Sequence, residues 1–286
     1  MEISFKNLPS HIKIIEGNLF NSKAQTLVNT VNTEGVMGKG LALEFRLRYP
    51  DMFKKYAKLC KEGKFRVGEL WLFKTNTRWI LNFPTKKAWR DDSKIEYLEV
   101  GLKKFINTYK EKNIQTIAFP VLGANLGNLD PNLSLEIMIH YLSNCDIPIE
   151  IYKYDPNSVD DIYNNLKEDL LNLNDYDFQI IFGLGFDKIN MIRKCLSNES
   201  IRNTYEFIHS LKINIKQLIR IFDYFFDRYY EMDYNNLSIE ILYKLKLNLS
   251  DSQLKKIKFL LLNNKLNQQA LKILDYILSE VFLHKS

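Results

Sequence analysis

Between Leu27 and Gly40 an apolar strand end, Leu27-Val28-Asn29-Thr30-Val31-Asn32, runs into the glycine-rich segment Gly35-Val36-Met37-Gly38-Lys39-Gly40. The chemistry on offer there is anion binding. Glycines 35, 38 and 40 are expected to take positive φ and let the backbone approach a ligand, while the first N–H groups of a helix starting near Lys39 point at it unpaired. Asn29 and Asn32 place neutral amides beside it. The same pattern also serves plain tight turns. A second polar stretch, Asn82-Phe83-Pro84-Thr85-Lys86-Lys87 followed by Trp89-Arg90, sets an amine at another strand end. Lys86 reads as a nucleophile or as an ordinary solvated lysine, Trp89 as a stacking platform or as core, and Asn32 as a ligand contact or as a turn former.

The three cysteines, Cys60, Cys145 and Cys195, and the histidines at 11, 140, 209 and 284 are scattered without metal-ligand spacing. No metal, no cofactor and no disulfide framework is expected, and the pattern suits a reducing cytoplasm. No stretch approaches the roughly 20 apolar residues that span a bilayer, and no leader pattern opens the chain, so no membrane partner is expected. With 286 residues, 46% of them hydrophobic, the chain fits two domains. Charge separates them: residues 1 to 155 hold 23 Lys+Arg against 17 Asp+Glu, whereas residues 156 to 286 balance at 17 each. The excess concentrates between Lys54 and Arg90, eleven basic side chains against Glu62 and Glu69. That stretch suits a polyanion, or, for Lys54, Lys55, Lys58, Lys61 and Lys64, a solvated helix face.

Positioning these groups calls for strands and helices in alternation. Strands are expected at Ile12–Ile15, Thr26–Asn29, Val67–Phe73, Trp79–Phe83, Thr116–Val121 and Ile149–Tyr152, and helices at Gly40–Arg48, Pro50–Lys61, Ser93–Lys112 and Asn132–Ser143. The fold class is α/β with a mixed sheet flanked by helices. Ligands bind such sheets at the carboxyl ends of the strands, where Gly17-Asn18, Asn29 to Gly40, Asn82 to Trp89 and Gly123 to Gly127 all fall.

The two long motifs, Leu27 to Gly40 and Asn82 to Arg90, resemble those of the macrodomains that bind ADP-ribose, over roughly residues 1 to 156, and within that family the DarG-type antitoxin macrodomains. The resemblance implies an enzyme that removes ADP-ribose from a DNA base, as antidote to a DNA-modifying ADP-ribosyltransferase. It implies that Gly35, Val36, Met37, Gly38 and Gly40, with Gly123, Ala124, Asn125, Leu126 and Gly127, embrace the diphosphate through backbone N–H groups. It also implies that Asn18 meets the adenine amino group, that Asn29 and Trp89 contact substrate, and that Asn32 holds the distal ribose or orients the base. Lys86 is implied as the catalytic amine, attacking the anomeric carbon of the distal ribose. Ala88 stands where many relatives carry histidine, and Leu126-Gly127-Asn128-Leu129-Asp130-Pro131 departs from the usual loop ending in aspartate and tryptophan. The implied partner is ADP-ribosylated DNA, single-stranded if Trp89 and Arg90 serve by stacking and phosphate contact, with the transferase as a protein partner. A non-catalytic ADP-ribose reader and a transcriptional regulator sensing an ADP-ribose derivative are the alternatives.

After Tyr154-Asp155-Pro156-Asn157-Ser158 the composition shifts to asparagine, isoleucine, leucine and tyrosine at helical spacing. An all-helical second domain is expected over 157 to 286, with helices at Val159–Asn172, Tyr176–Phe182, Asp187–Leu196, Asn203–Leu211, Ile215–Tyr230, Leu237–Leu247, Ser252–Asn263 and Gln268–Leu283. Residues 176 to 225 weakly resemble a phage-repressor helix-turn-helix, with Lys188, Asn190, Arg193 and Lys194 on the recognition helix, which would bind duplex DNA; a partner-binding bundle is the other reading. Every residue assigned to chemistry precedes Pro131, so hydrolysis is expected to need only residues 1 to 156.

Overall fold

The structure, a computed structural model, describes residues 8 to 229. The chain divides into two compact units, one running to Leu173 and resuming over Phe186–Leu218, the other made of Asn174–Gly185 and the chain from Ile219. This division differs from a single boundary near 157. Among the described residues, most of the helical segment that follows the sheet shares the sheet's own unit.

Six strands form one sheet: β1 (Ile12–Gly17), β2 (Thr26–Val31), β3 (Trp71–Lys74), β4 (Trp79–Pro84), β5 (Ile117–Pro120) and β6 (Ile149–Tyr154), in the order β1-β6-β5-β2-β4-β3. All neighbours run parallel except β3, which pairs antiparallel with β4. The sheet is therefore mixed, with its antiparallel strand at the edge. Consecutive residues of the inner strands bury to opposite faces. Val28, Leu81, Ile117 and Phe119 pack with Leu98, Leu102, Phe105, Leu135 and Met138 on one side. Leu27, Ile80 and Ala118 pack with Phe45, Met52 and Tyr56 on the other. Period-two alternation of apolar residues on both faces demands a helical layer on each. Those layers are α1 (Gly40–Arg48) with α2 (Pro50–Lys61), and α3 (Ile95–Thr108) with α4 (Pro131–Leu142).

The first unit continues with α5 (Tyr163–Leu171), α7 (Phe186–Leu196) and α8 (Thr204–Ser210), while α6 (Asp175–Phe182) belongs to the second. The long α9 (Ile215–Tyr229) closes the described residues. In the second unit, Asn174 and Asp177 form a reciprocal capping box at the start of α6, and Arg220 donates to the Phe182 carbonyl at 3.3 Å. Of the expected recognition-helix side chains, Lys188 donates to Gln217 and Arg193 to the Leu173 carbonyl, both within the first unit. The helices expected over 237 to 283 lie outside the described residues. Among the described residues no helix is long and apolar enough to cross a membrane and no group of His, Cys, Asp or Glu could hold a metal.

Candidate active site

The carboxyl ends of β1, β2, β4, β5 and β6 open onto one cavity of about 620 Å³, lined by residues following each strand. Its floor is the expected anion loop. Helix α1 begins at Gly40 with Lys39 as N-cap, and Lys39 gives no side-chain cap bond, so the helix end keeps backbone donors for a ligand. Gly40 sits at φ +62°, and a Cβ there would lie 2.6 Å from Leu126 Cδ1. The positive φ favours glycine where this loop meets the one from Gly123 to Gly127, and any Cβ would push the Leu126 side chain aside. Gly38 departs from expectation: it lines the cavity but not with positive φ.

Three expected contacts do not line the cavity, namely Asn29, Gly35 and Met37. Asn29, fully buried in β2, donates to Asn82 Oδ1 at 3.0 Å and faces Met37 Sδ, which ties β2 to β4 inside the sheet. Met37 is likewise core. Gly35, at φ +82°, lets the loop pass over Ala57 of α2, where a Cβ would meet backbone at 3.2 Å. Asn32 does line the cavity, yet most of its amide is spent on folding the loop: its oxygen accepts from the N–H groups of Glu34 and Val36, and its NH2 donates to the Val36 carbonyl at 2.6 Å. The Tyr56 hydroxyl locks the turn by donating to the Asn32 carbonyl at 2.8 Å. The turn-forming reading of Asn32 accounts for these bonds.

At the β4 end stand Thr85, Lys86, Trp89, Arg90 and Ser93. The Lys86 amine reaches across to the Leu126 carbonyl, joining the end of β4 to the Gly123–Gly127 loop. Trp89 is no core residue; it is 45% exposed, its backbone N–H held by Glu34 Oε2 at 3.0 Å, with the Arg90 guanidinium 4.5 Å above its ring. Ser93, expected only to start a helix, is buried with its hydroxyl unpartnered and borders the cavity beside Gly127. A buried hydroxyl without a partner is costly, and a polar ligand would satisfy it. The expected lysine cluster looks outward, with Lys54 and Lys58 on α2 paired to Asp51 and Glu62, and Lys64, past the end of the helix, also paired to Glu62, which favours the solvated-face reading.

The opposite end, beside β1 and β6, is lined by Asn18, Leu19, Leu41, Ala42, Glu44, Tyr152, Tyr154 and Tyr205. Asn18 uses its oxygen to cap a short 3-10 turn, accepting from Phe20 N at 2.9 Å. Under this end lies a buried ion network. Arg48 bonds Glu44 at 2.7 Å and Asp161 at 2.7 Å and lies 3.6 Å from Asp160. Burial pushes the Glu44 carboxyl up to about 7 against the pull of Arg48, with Asp160 and Asp161 adding to the rise. Asp160 in turn accepts from the N–H groups of Ile162, Tyr163 and Thr204, fixing the starts of α5 and α8. The consequence appears at Gly40, whose N–H donates to His209 Nε2 on α8 at 3.3 Å. His209 Nδ1 faces the Tyr205 carbonyl at 2.7 Å and must donate there, which leaves Nε2 as the acceptor. One donor assigned to an anion therefore has a side-chain partner.

Residues 28 to 138 match the family model of the Macro domain. Over 149 residues the chain is 38% identical to a DNA ADP-ribosyl glycohydrolase of Thermus aquaticus, covering 51% of this chain and 41% of that protein. It also covers 96% of the solved macrodomain of Mycobacterium tuberculosis DarG at 40% identity, that match taking in 49% of this chain with a TM-score of 0.48. The chain belongs to the macrodomain family. A DNA ADP-ribosyl transferase-DNA ADP-ribosyl glycohydrolase fusion protein of Thermosipho africanus matches at 34% identity over 51% of this chain and 42% of its own length. The chain thus spans about two fifths of the curated relatives it matches. The anion loop from Gly35 and the Lys86 segment lie inside the macrodomain match, whereas Tyr154, Tyr205 and His209 lie beyond it. Sequence reasoning missed these three. Tyr154 carried a signal as a strand-end aromatic; Tyr205 and His209 carried none.

Proposed function

We propose that this macrodomain hydrolyses the N-glycosidic bond between ADP-ribose and a DNA base, as the antidote to a DNA ADP-ribosyltransferase in the cytoplasm. The observation that carries the reading is the Lys86 amine, which lines the same cavity as the two expected anion loops and bonds the Leu126 carbonyl of one of them. A diphosphate on those loops directs its distal ribose toward Lys86. The neutral amine attacks the anomeric carbon as the bond to the base nitrogen breaks, and the base leaves with a proton. Water then cleaves the lysyl–ribose bond, releasing ADP-ribose and restoring the amine. The names of the similar proteins support both this reaction and a transferase partner. Exposed Trp89 with Arg90 over its ring suits an unpaired base and its phosphate, and so favours single-stranded substrate.

The test is release of ADP-ribose from a modified single-stranded oligonucleotide. Lys86→Ala is expected to lower the rate by about a thousandfold or more while ADP-ribose binding stays within about threefold, since the amine acts on the reacting carbon and not on the diphosphate. A Lys86→Ala protein with wild-type turnover moves the chemistry elsewhere. Wild-type protein that binds ADP-ribose yet releases none is a reader.

A further inference from the structure

The sheet order sets Lys86 and Trp89 at the β4 end of the cavity and Tyr205 at the β1–β6 end, with the anion loops between them. If a diphosphate occupies the loops and the distal ribose lies toward Lys86, the other nucleoside must lie toward Tyr205. This placement rests on the function proposed above. Tyr205 is built into that end. Its ring stacks on His209 at 4.1 Å and 22°, and stands 4.9 Å from Tyr154. Its helix is held by three separate ties: Asp160 accepts from Thr204 N at 2.6 Å, Asn203 donates to the carbonyls of Pro156 and Ser158, and the Tyr154 hydroxyl bonds Glu206 at 2.7 Å. Burial, then the charges of Glu206 and Glu44, raise the Tyr205 phenol above its usual range, so it stays neutral near pH 7.

We infer that Tyr205 is a binding residue for the purine base of the ligand, contributed by a helix that follows the sheet by some 50 residues and lies outside the macrodomain match. A ring stacked on an imidazole and set at 52° to a second tyrosine loses little freedom on binding, and stacking on an aromatic side chain needs no base-specific hydrogen bond. His209 is its positioning residue, anchored on the anion loop by Gly40 N–H and backing the tyrosine ring. The helical segment is thereby part of the site, against the expectation that residues 1 to 156 suffice.

Calorimetric titration of the full chain with ADP-ribose, ADP and inorganic pyrophosphate tests this on wild type, Tyr205→Ala, Tyr205→Leu and Tyr205→Phe. The Ala and Leu variants are expected to raise Kd for ADP-ribose and ADP by about five- to a hundredfold, with pyrophosphate unchanged and Phe within about twofold of wild type. In turnover, KM rises and kcat holds. Equal loss of pyrophosphate binding makes Tyr205 a mere prop for the loop and overturns the inference, as does tighter ADP-ribose binding by Tyr205→Ala, which marks the ring as an obstruction. Leu, which keeps apolar bulk, tests the stack even if Ala fails to fold; Leu binding like Phe overturns it. Wild-type protein that binds no ADP-ribose sinks this and the functional reading together, whereas wild-type binding unaltered in every variant sinks this alone.

Discussion

Between its two ends the cavity is walled by the glycine loops, Val36 to Gly40 and Gly123 to Gly127, a backbone wall; at the β1–β6 end it is walled by the aromatic residues Tyr152, Tyr154 and Tyr205. The two walls are secured differently. The first half of the backbone wall is local, set by a turn that Asn32 and Tyr56 close within the first two helices and strands. The aromatic wall depends on ion pairs and capping bonds that join Arg48 to residues more than a hundred positions later. A site of this kind tolerates most side-chain changes on its first wall and few of the changes that unseat its second.

The strongest way to break the contrast is Arg48→Met. It leaves Glu44 and Asp160 buried without their cation, and the cost is expected at about 3–5 kcal/mol. Urea unfolding at pH 8 reads the stability, and the same protein is expected to lose the Tyr205 contribution to ADP-ribose binding. A loss below about 1 kcal/mol means the aromatic wall is held otherwise. Next in size is a pH effect from the same network. The folded carboxyl of Glu44, near 7, lies above its ordinary 4.5, so its protonated form is the one folding favours. Its contribution is full below about 4.5 and is lost as pH rises through 7, amounting to at most about 3.5 kcal/mol. Glu44→Gln removes this share of the slope, so the stability gap between variant and wild type is expected to change across that window; a constant gap refutes it. The smallest effect tests the backbone wall. Gly40→Ala forces φ +62° on a residue with a Cβ and crowds Leu126, costing about 1–2 kcal/mol in thermal unfolding and weakening ADP-ribose binding.

How far the sequence was legible follows the same line. The bounds of α1 and α2 match their expected ranges because Pro50 marks the second start and the turn at Tyr49 separates them. Strand β3 begins at Trp71 and not at Val67, since Gly68 at φ +86° and the bond from Glu69 N to the Arg66 carbonyl make a turn of the earlier residues. Residue types along the loop suggested anion binding but could not say which side chains face inward. Asn29 and Met37 turn into the core, and Gly35 serves its packing on α2. Trp89 was ambiguous because a tryptophan suits core and surface alike; only its neighbours put it outside. Tyr205 and His209 were illegible for another reason. A contact between residues 169 positions apart leaves no periodic trace in either segment.

That separation also imposes an order of construction. A chain is made from its amino terminus, so the whole sheet, ending at Tyr154, exists before α8 has been translated. His209 follows by about 55 residues, an interval of about 3–11 s at typical synthesis rates. Through that interval the nascent chain carries the Gly40 amide without its imidazole acceptor and the Tyr154 hydroxyl without Glu206. The loop to Gly40 is thus made early in the pocket, and its aromatic wall is completed last, when Tyr205 and His209 join Tyr152 and Tyr154.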